Sequence, residues 1–130
     1  MTGRLESHLR GIRDSGRKAL VPYITGGYPG WEDAIRAAAA NGADAIEIGI
    51  PFSDPVMDGG VIQEASRRAL DSGTRPADVL ATVKEAGLDV PVALMTYFNP
   101  VLRHGVATFL REAAEAGVAG VIVPDLPVDE

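Results

Sequence analysis

A short phrase that ends a helix and opens a strand recurs three times in the 130-residue chain. It reads Ala-Asn-Gly-Ala-Asp-Ala-Ile at 40–46, Glu-Ala-Gly-Leu-Asp-Val-Pro at 85–91 and Glu-Ala-Gly-Val-Ala-Gly-Val at 115–121. Each copy has a glycine where a helix would stop, followed by the residues that enter a strand. Strands that alternate with helices pair in parallel through helical crossovers. The repetition therefore favours a (β/α) barrel over a doubly wound open sheet.

The hydrophobic pattern along the chain predicts the order of these elements. Strands are predicted at 19–25, 43–50, 91–98 and 120–124, and helices at 2–16, 31–41, 61–71, 76–86 and 105–116. A complete TIM barrel, the (β/α)8 fold, has eight such units in about 250 residues. We therefore expect residues 1–130 to form a single α/β domain, the N-terminal half of a TIM barrel, with the helix 2–16 preceding the first strand.

Charge and residue types exclude several classes of function. The net charge of −6 argues against a basic face for nucleic acid and against an anionic-membrane binder. The absence of cysteine rules out disulfides and thiolate chemistry and fits a reducing compartment. The sequence has neither a signal peptide nor an apolar stretch of the ~18 residues that a membrane span needs. We expect a cytoplasmic protein.

Glu47 is the first candidate for a catalytic residue. It alternates with Ile46 and Ile48 on the second predicted strand, so the isoleucines face the helices and the carboxylate points into the barrel. A solvent-facing glutamate is the alternative, but parallel sheets are normally covered on both faces. A buried, unpaired carboxylate is costly or stays protonated. Its presence predicts a general acid–base role, with a pKa raised by burial.

Asp58 follows in the Pro- and Asp-rich loop at 51–60. One interpretation makes it the N-cap of the helix predicted from Val61, because aspartate favours that position. The other makes it a catalytic group, because enzymes with this fold place their sites after the carboxyl ends of the strands. The spacing alone favours neither interpretation.

Side chains that could bind a metal are few and scattered. His8 and His104 are isolated in the sequence and make no convincing metal site together. Asp54 and Asp58 share one loop and could hold Mg²⁺, but two loop carboxylates are weak evidence for a site. No metal is predicted.

One long segment resembles a known family. It runs Ile46-Glu-Ile-Gly-Ile-Pro-Phe-Ser-Asp-Pro-Val-Met-Asp-Gly59 and continues as Val61-Ile-Gln63, and it resembles the signature of the tryptophan synthase α chain. Shorter matches support it at 21–25, 27–29, 95–100 and 123–127. Family members usually have proline where this chain has Gly60.

The resemblance implies a TIM-barrel lyase of tryptophan biosynthesis. The family cleaves indole-3-glycerol phosphate to indole and glyceraldehyde 3-phosphate in a retro-aldol reaction. By family position, Glu47 shuttles protons, and Asp58 holds the indole N–H and stabilises positive charge there. The resemblance also implies an indole pocket, whose residues all face inward in the predicted alternation: Tyr23, Met95, Tyr97, Ile122 and Pro124. The family's phosphate-binding residues lie in its second half, outside residues 1–130.

The resemblance further implies a partner. In the family, indole passes to a β chain that carries pyridoxal phosphate, in an α2β2 heterotetramer, and we expect no cofactor in the present chain. The segment matching 51–58 takes part in that contact, which makes Asp54 the candidate interface residue. A different class of function also remains open: a truncated half-barrel without catalytic activity, which only binds a partner, either itself or the β chain.

Overall fold

The computed structural model describes residues 3–129 and contains one parallel sheet. Its strands are β1 (Tyr23–Thr25), β2 (Ile46–Gly49), β3 (Val92–Met95) and β4 (Gly120–Ile122). They lie side by side in chain order, and each neighbouring pair is parallel. This arrangement, with helices in the connections, confirms the predicted α/β half-barrel.

Helices precede the sheet and connect its strands. They are α1 (Arg4–Asp14), α2 (Trp31–Ala40), α3 (Gly60–Asp71), α4 (Pro76–Ala86), α5 (Phe98–His104) and α6 (Val106–Glu115). All five predicted helices are present, with bounds that differ by two residues at most. The predicted start of the first helix, at residue 2, lies outside the described residues. None of the helices within residues 3–129 combines the length and apolar character that crossing a bilayer requires.

The α5 helix corrects the predicted third strand, which was expected to continue to residue 98. The strand ends at Met95, and a helix begins at Phe98. The Asp125 carboxylate accepts a hydrogen bond of 2.9 Å from the Phe98 N–H. Because Asp125 follows β4, far along the chain, no local pattern could predict this helix start.

The other strands are also shorter than predicted, and prolines mark their ends. Pro22 precedes β1 and Pro91 precedes β3, while Pro124 follows β4. Proline has no N–H to donate to a sheet, so it lies at strand ends or edges. Parallel pairing nevertheless begins before β1, because the Asp44 N–H donates to the Leu20 carbonyl at 2.8 Å.

The main core lies between the sheet and the helices. Ile46, Ile48 and Leu94 are completely buried there, as the alternation on β2 predicted. They pack with Ile35 of α2, Val79 of α4 and Phe109 of α6. Burying these side chains against the helices leaves the opposite face of the sheet, which carries Glu47, as the inner face.

An ion pair between the exposed Arg17 and the buried Asp44 joins the segment after α1 to the base of the sheet. The Arg17 guanidinium donates to both oxygens of Asp44, at 2.8 and 3.3 Å, and the Leu20 N–H donates to the same carboxylate at 2.7 Å. Asp44 is only 8% exposed. Hydrogen bonds from Arg17 and from the Leu20 N–H hold the pKa of Asp44 below its usual range.

Replacing Asp44 with asparagine is expected to lower the thermal unfolding midpoint by several degrees at neutral pH. A lowered pKa contributes stability above the pKa of the unfolded chain, and that stability is lost as the pH falls through the folded value. The variant should therefore lose less stability than the wild type on acidification. Thermal unfolding at neutral and acidic pH measures both effects. Asp14→Asn, which removes an exposed carboxylate paired with Arg13, is the control and should change little.

Candidate active site

The inner face of the sheet gathers most of the candidate residues at its carboxyl end. The parallel register places Tyr23 of β1 opposite Glu47 of β2. Two residues further along β2, Gly49 lies opposite Met95 of β3, and Met95 lies opposite Ile122 of β4. Alternation puts these side chains on the face away from the helices. The carboxyl edge of a barrel sheet is where this fold builds its sites.

The Tyr23 side chain lies directly over Gly49. A Cβ atom at Gly49 would collide with the Tyr23 phenol, so only glycine fits at that position of β2. The Tyr23 ring therefore stays next to Glu47 on the inner face. Burial raises the pKa of Tyr23, and the negative charges of Asp58 and Glu47 add to the effect.

Glu47 is partly buried in the middle of β2, and its backbone N–H donates to the Pro22 carbonyl at 3.0 Å. Burial raises the pKa of its carboxyl, and the negative charge of Asp58 raises it further. Of the ion pairs formed within residues 3–129, none includes Glu47. The electrostatic setting is thus that of a carboxyl able to hold a proton.

The N-cap interpretation of Asp58 is wrong. The N-cap of α3 is Gly59, and no side chain makes a capping hydrogen bond there. Asp58 takes part in the turn before the helix through its backbone. Its N–H donates to the Pro55 carbonyl, and its carbonyl accepts a hydrogen bond of 2.8 Å from the Gln63 side chain. The carboxylate instead acts on Glu47 by raising its pKa.

Tyr97 closes the site from the β3 side. Its side chain is 2% exposed, its hydroxyl accepts a hydrogen bond of 2.9 Å from the Met57 N–H, and its ring stacks on Phe52 with 5.3 Å between centroids. Burial raises the pKa of Tyr97, and the charge of Asp58 contributes as well. The sequence predicted Tyr97 as a pocket residue but missed Phe52, whose only signal was an aromatic side chain in a polar loop.

The remaining candidates differ in exposure. Met95 is buried, Pro124 is partly buried and Ile122 is 44% exposed on the inner face. Asp54 is exposed on the same loop as Asp58. Sequence reasoning missed Asp125, which fixes the start of α5. Its signal was an aspartate directly after a predicted strand end.

Within residues 3–129, no group of three or more His, Cys, Asp or Glu side chains is placed to hold a metal ion. His104 instead lies 2.8 Å from the Glu112 carboxylate on α6.

Comparisons with known proteins agree with one another. A family described as "Tryptophan synthase alpha chain" matches residues 9–130. The alpha chain from Streptomyces coelicolor is 49% identical over 131 residues, covering 97% of this chain and 48% of the relative. The alpha chain from Carboxydothermus hydrogenoformans is 50% identical over 123 residues, covering 91% of this chain and 46% of the relative.

The solved structures that superpose on this chain belong to the same family. A ligand-free tryptophan synthase from M. tuberculosis superposes with a TM-score of 0.91 at 44% identity, covering 99% of this chain and 54% of that chain. Tryptophan synthase subunit alpha from Legionella pneumophila gives a TM-score of 0.93 at 38% identity, covering 100% of this chain and 52% of that chain. The chain spans about half the length of the relatives it matches.

Proposed function

Because the chain belongs to the tryptophan synthase alpha chain family, we propose that the protein cleaves indole-3-glycerol phosphate to indole and glyceraldehyde 3-phosphate. The observation that carries the proposal is the position of Glu47 on the inner face of β2, where burial and the charge of the loop residue Asp58 raise the pKa of its carboxyl. Residues 1–130 contribute the two carboxylates and part of the indole pocket. The phosphate contacts lie outside them.

The reaction breaks the bond between indole C3 and the first glycerol carbon. A proton is added to C3, which leaves positive charge on the ring nitrogen, and the neighbouring glycerol hydroxyl gives up its proton as its carbon becomes the aldehyde. The bonding electrons return to the indole ring and neutralise its nitrogen. One proton is gained and one is lost, so the step needs neither an oxidant nor a reductant.

Glu47 is proposed as the group that moves these protons. A shuttling group must give and accept a proton at similar pH, which requires a pKa near the working pH. An ordinary glutamate is too acidic for this, but burial and the charge of Asp58 both raise the pKa of Glu47. The Tyr23 phenol lies over Gly49, two residues after Glu47 on the same face of β2.

Asp58 is proposed as the residue that binds the indole N–H. An ionised carboxylate accepts that hydrogen bond and stabilises the positive charge that develops on the nitrogen. The two carboxyl groups then have different roles, Glu47 exchanging protons and Asp58 binding the indole N–H. The apolar residues expected around the indole ring are Tyr23, Met95, Tyr97, Ile122 and Pro124.

The exposed part of the loop is proposed to contact a β chain. Asp54 is exposed there, and Val56 and Met57 nearby expose large apolar side chains. Apolar side chains beside a charge are typical of a protein-binding surface. The pyridoxal phosphate of the family belongs to that β chain, in an assembly proposed to be α2β2, and no cofactor is proposed for this chain.

The proposed activity is tested by measuring indole release from indole-3-glycerol phosphate by the full-length gene product, with and without a β chain. We expect indole to form in proportion to enzyme, and faster with the β chain. A well-folded protein that binds the β chain but releases no indole would favour the non-catalytic alternative.

A further inference from the structure

Beyond Ile50, which is itself buried in the core, the loop between β2 and α3, residues 50–59, is contacted by a buried tyrosine. Tyr97, directly after β3, contacts it twice: the Met57 N–H donates to the Tyr97 hydroxyl at 2.9 Å, and Phe52 stacks on the Tyr97 ring with 27° between the planes. Tyr97 is 2% exposed, whereas the Met57 side chain is 63% exposed. The Met57 side chain therefore faces solvent, whereas the Tyr97 side chain that bonds the Met57 backbone is buried.

The Tyr97 hydroxyl bonds the backbone next to Asp58, the second candidate catalytic residue. Met57 immediately precedes Asp58, so fixing the Met57 amide fixes the backbone from which the Asp58 carboxylate extends. The Asp58 backbone makes two further hydrogen bonds: its N–H donates to the Pro55 carbonyl, and its carbonyl accepts from the Gln63 side chain of α3. The Tyr97 hydroxyl contacts this turn from the segment between β3 and α5.

We propose that Tyr97 is a positioning residue, whose hydroxyl holds the Met57 amide and thereby keeps the Asp58 carboxylate within electrostatic reach of Glu47. Its effect on catalysis rests on the function proposed above. The same contact links the part of the loop proposed to face the β chain to the catalytic pair, so movement of the exposed loop is transmitted to Asp58.

The competing explanation is that Tyr97 only fills space under the loop. Phenylalanine would serve that purpose equally well, because the stacking on Phe52 needs only the ring. Tyr23 offers a matched control: its phenol lies on the same inner face and near the same two carboxylates, but its hydroxyl bonds toward Thr25, not the loop. The two hydroxyls differ in their partners: Tyr97 accepts from the loop backbone, and Tyr23 bonds the Thr25 side chain.

The experiment compares Tyr97→Phe and Tyr23→Phe in the full-length protein. Amide hydrogen exchange is followed at Met57 by NMR, together with kcat and KM for indole-3-glycerol phosphate. Loss of one hydrogen bond corresponds to about a tenfold change in an opening equilibrium. We expect Met57 exchange to speed up about tenfold in Tyr97→Phe, with kcat lowered by a similar factor and KM nearly unchanged. Met57 exchange in Tyr23→Phe should match the wild type.

Unchanged Met57 exchange in Tyr97→Phe would overturn the proposal, as would equal acceleration in Tyr23→Phe. Faster exchange with unchanged kcat would overturn it too, because the hydroxyl would then hold the loop without affecting Asp58. If the wild-type protein released no indole, the proposed function would fail, and Met57 exchange alone would decide whether Tyr97 holds the loop. Phe52→Leu, which keeps the hydroxyl and removes the stacking, should preserve slow Met57 exchange.

Discussion

Replacing Glu47 with glutamine is expected to remove nearly all cleavage of indole-3-glycerol phosphate while leaving the fold intact. Glutamine has nearly the same shape but can neither take the proton of the glycerol hydroxyl nor give one to C3. General acid–base catalysis contributes about 10²–10⁴-fold, which sets the smallest loss expected. Single-turnover release of indole measures the chemical step directly. Glu64→Gln, which removes an exposed carboxylate on α3, is the control and should retain full activity.

The stability of the Glu47 variant distinguishes lost chemistry from lost structure. Because the pKa of Glu47 is raised in the folded protein, its contribution to the free energy of unfolding is fully present below the unfolded pKa. That contribution is lost as the pH rises through the folded value. Glutamine is neutral throughout, so the variant should be at least as stable as the wild type at neutral pH. Turnover close to the wild-type rate in a folded Glu47→Gln protein would rule out the proton-shuttling role.

Replacing Asp58 with asparagine is expected to lower kcat by about 10²–10³-fold, the usual loss when a group that stabilises transition-state charge is removed. KM should change much less, because the positive charge on the indole nitrogen develops only in the transition state. The thermal unfolding midpoint should not move, since the Asp58 side chain does not cap α3. Steady-state kinetics and thermal melting measure the two effects.

A second consequence of the Asp58 substitution concerns pH. The negative charge of Asp58 raises the pKa of Glu47, so removing it should shift the limb of the pH–rate profile that depends on Glu47 to lower pH. Asp71→Asn, on the exposed face of α3, is the control and should change neither the rate nor the profile. An unchanged kcat in Asp58→Asn would show that the charge has no catalytic role.

Hydrophobic periodicity predicted the four strands and five of the six helices found in residues 3–129. The alternation of Ile46, Glu47 and Ile48 predicted which face of β2 packs under the helices, because side chains on a strand alternate strictly. Glycines at the helix ends marked the boundaries, as with Gly87 in the left-handed conformation after α4. These signals are local, so a single sequence contains them.

The sequence could not predict features made by contacts between distant segments. The start of α5 depends on Asp125, which lies beyond β4. The Met57 amide, next to Asp58, donates to the Tyr97 hydroxyl, which lies 40 residues further along the chain. Aspartate before a helix usually caps it, and here a glycine occupies the cap position instead. The assignment of Glu47 and Asp58 to particular steps came from family resemblance, not from periodicity.

The pairing of Glu47 with Asp58 is tested most directly by following the Glu47 side-chain carboxyl carbon by NMR through a pH titration. The wild-type protein and the Asp58→Asn variant are compared under identical conditions. We expect the Glu47 midpoint to lie above that of an ordinary glutamate in the wild type, and to move down toward the ordinary value in the variant. A wild-type midpoint at or below the ordinary value, unaffected by the loss of Asp58, would contradict the proposed site.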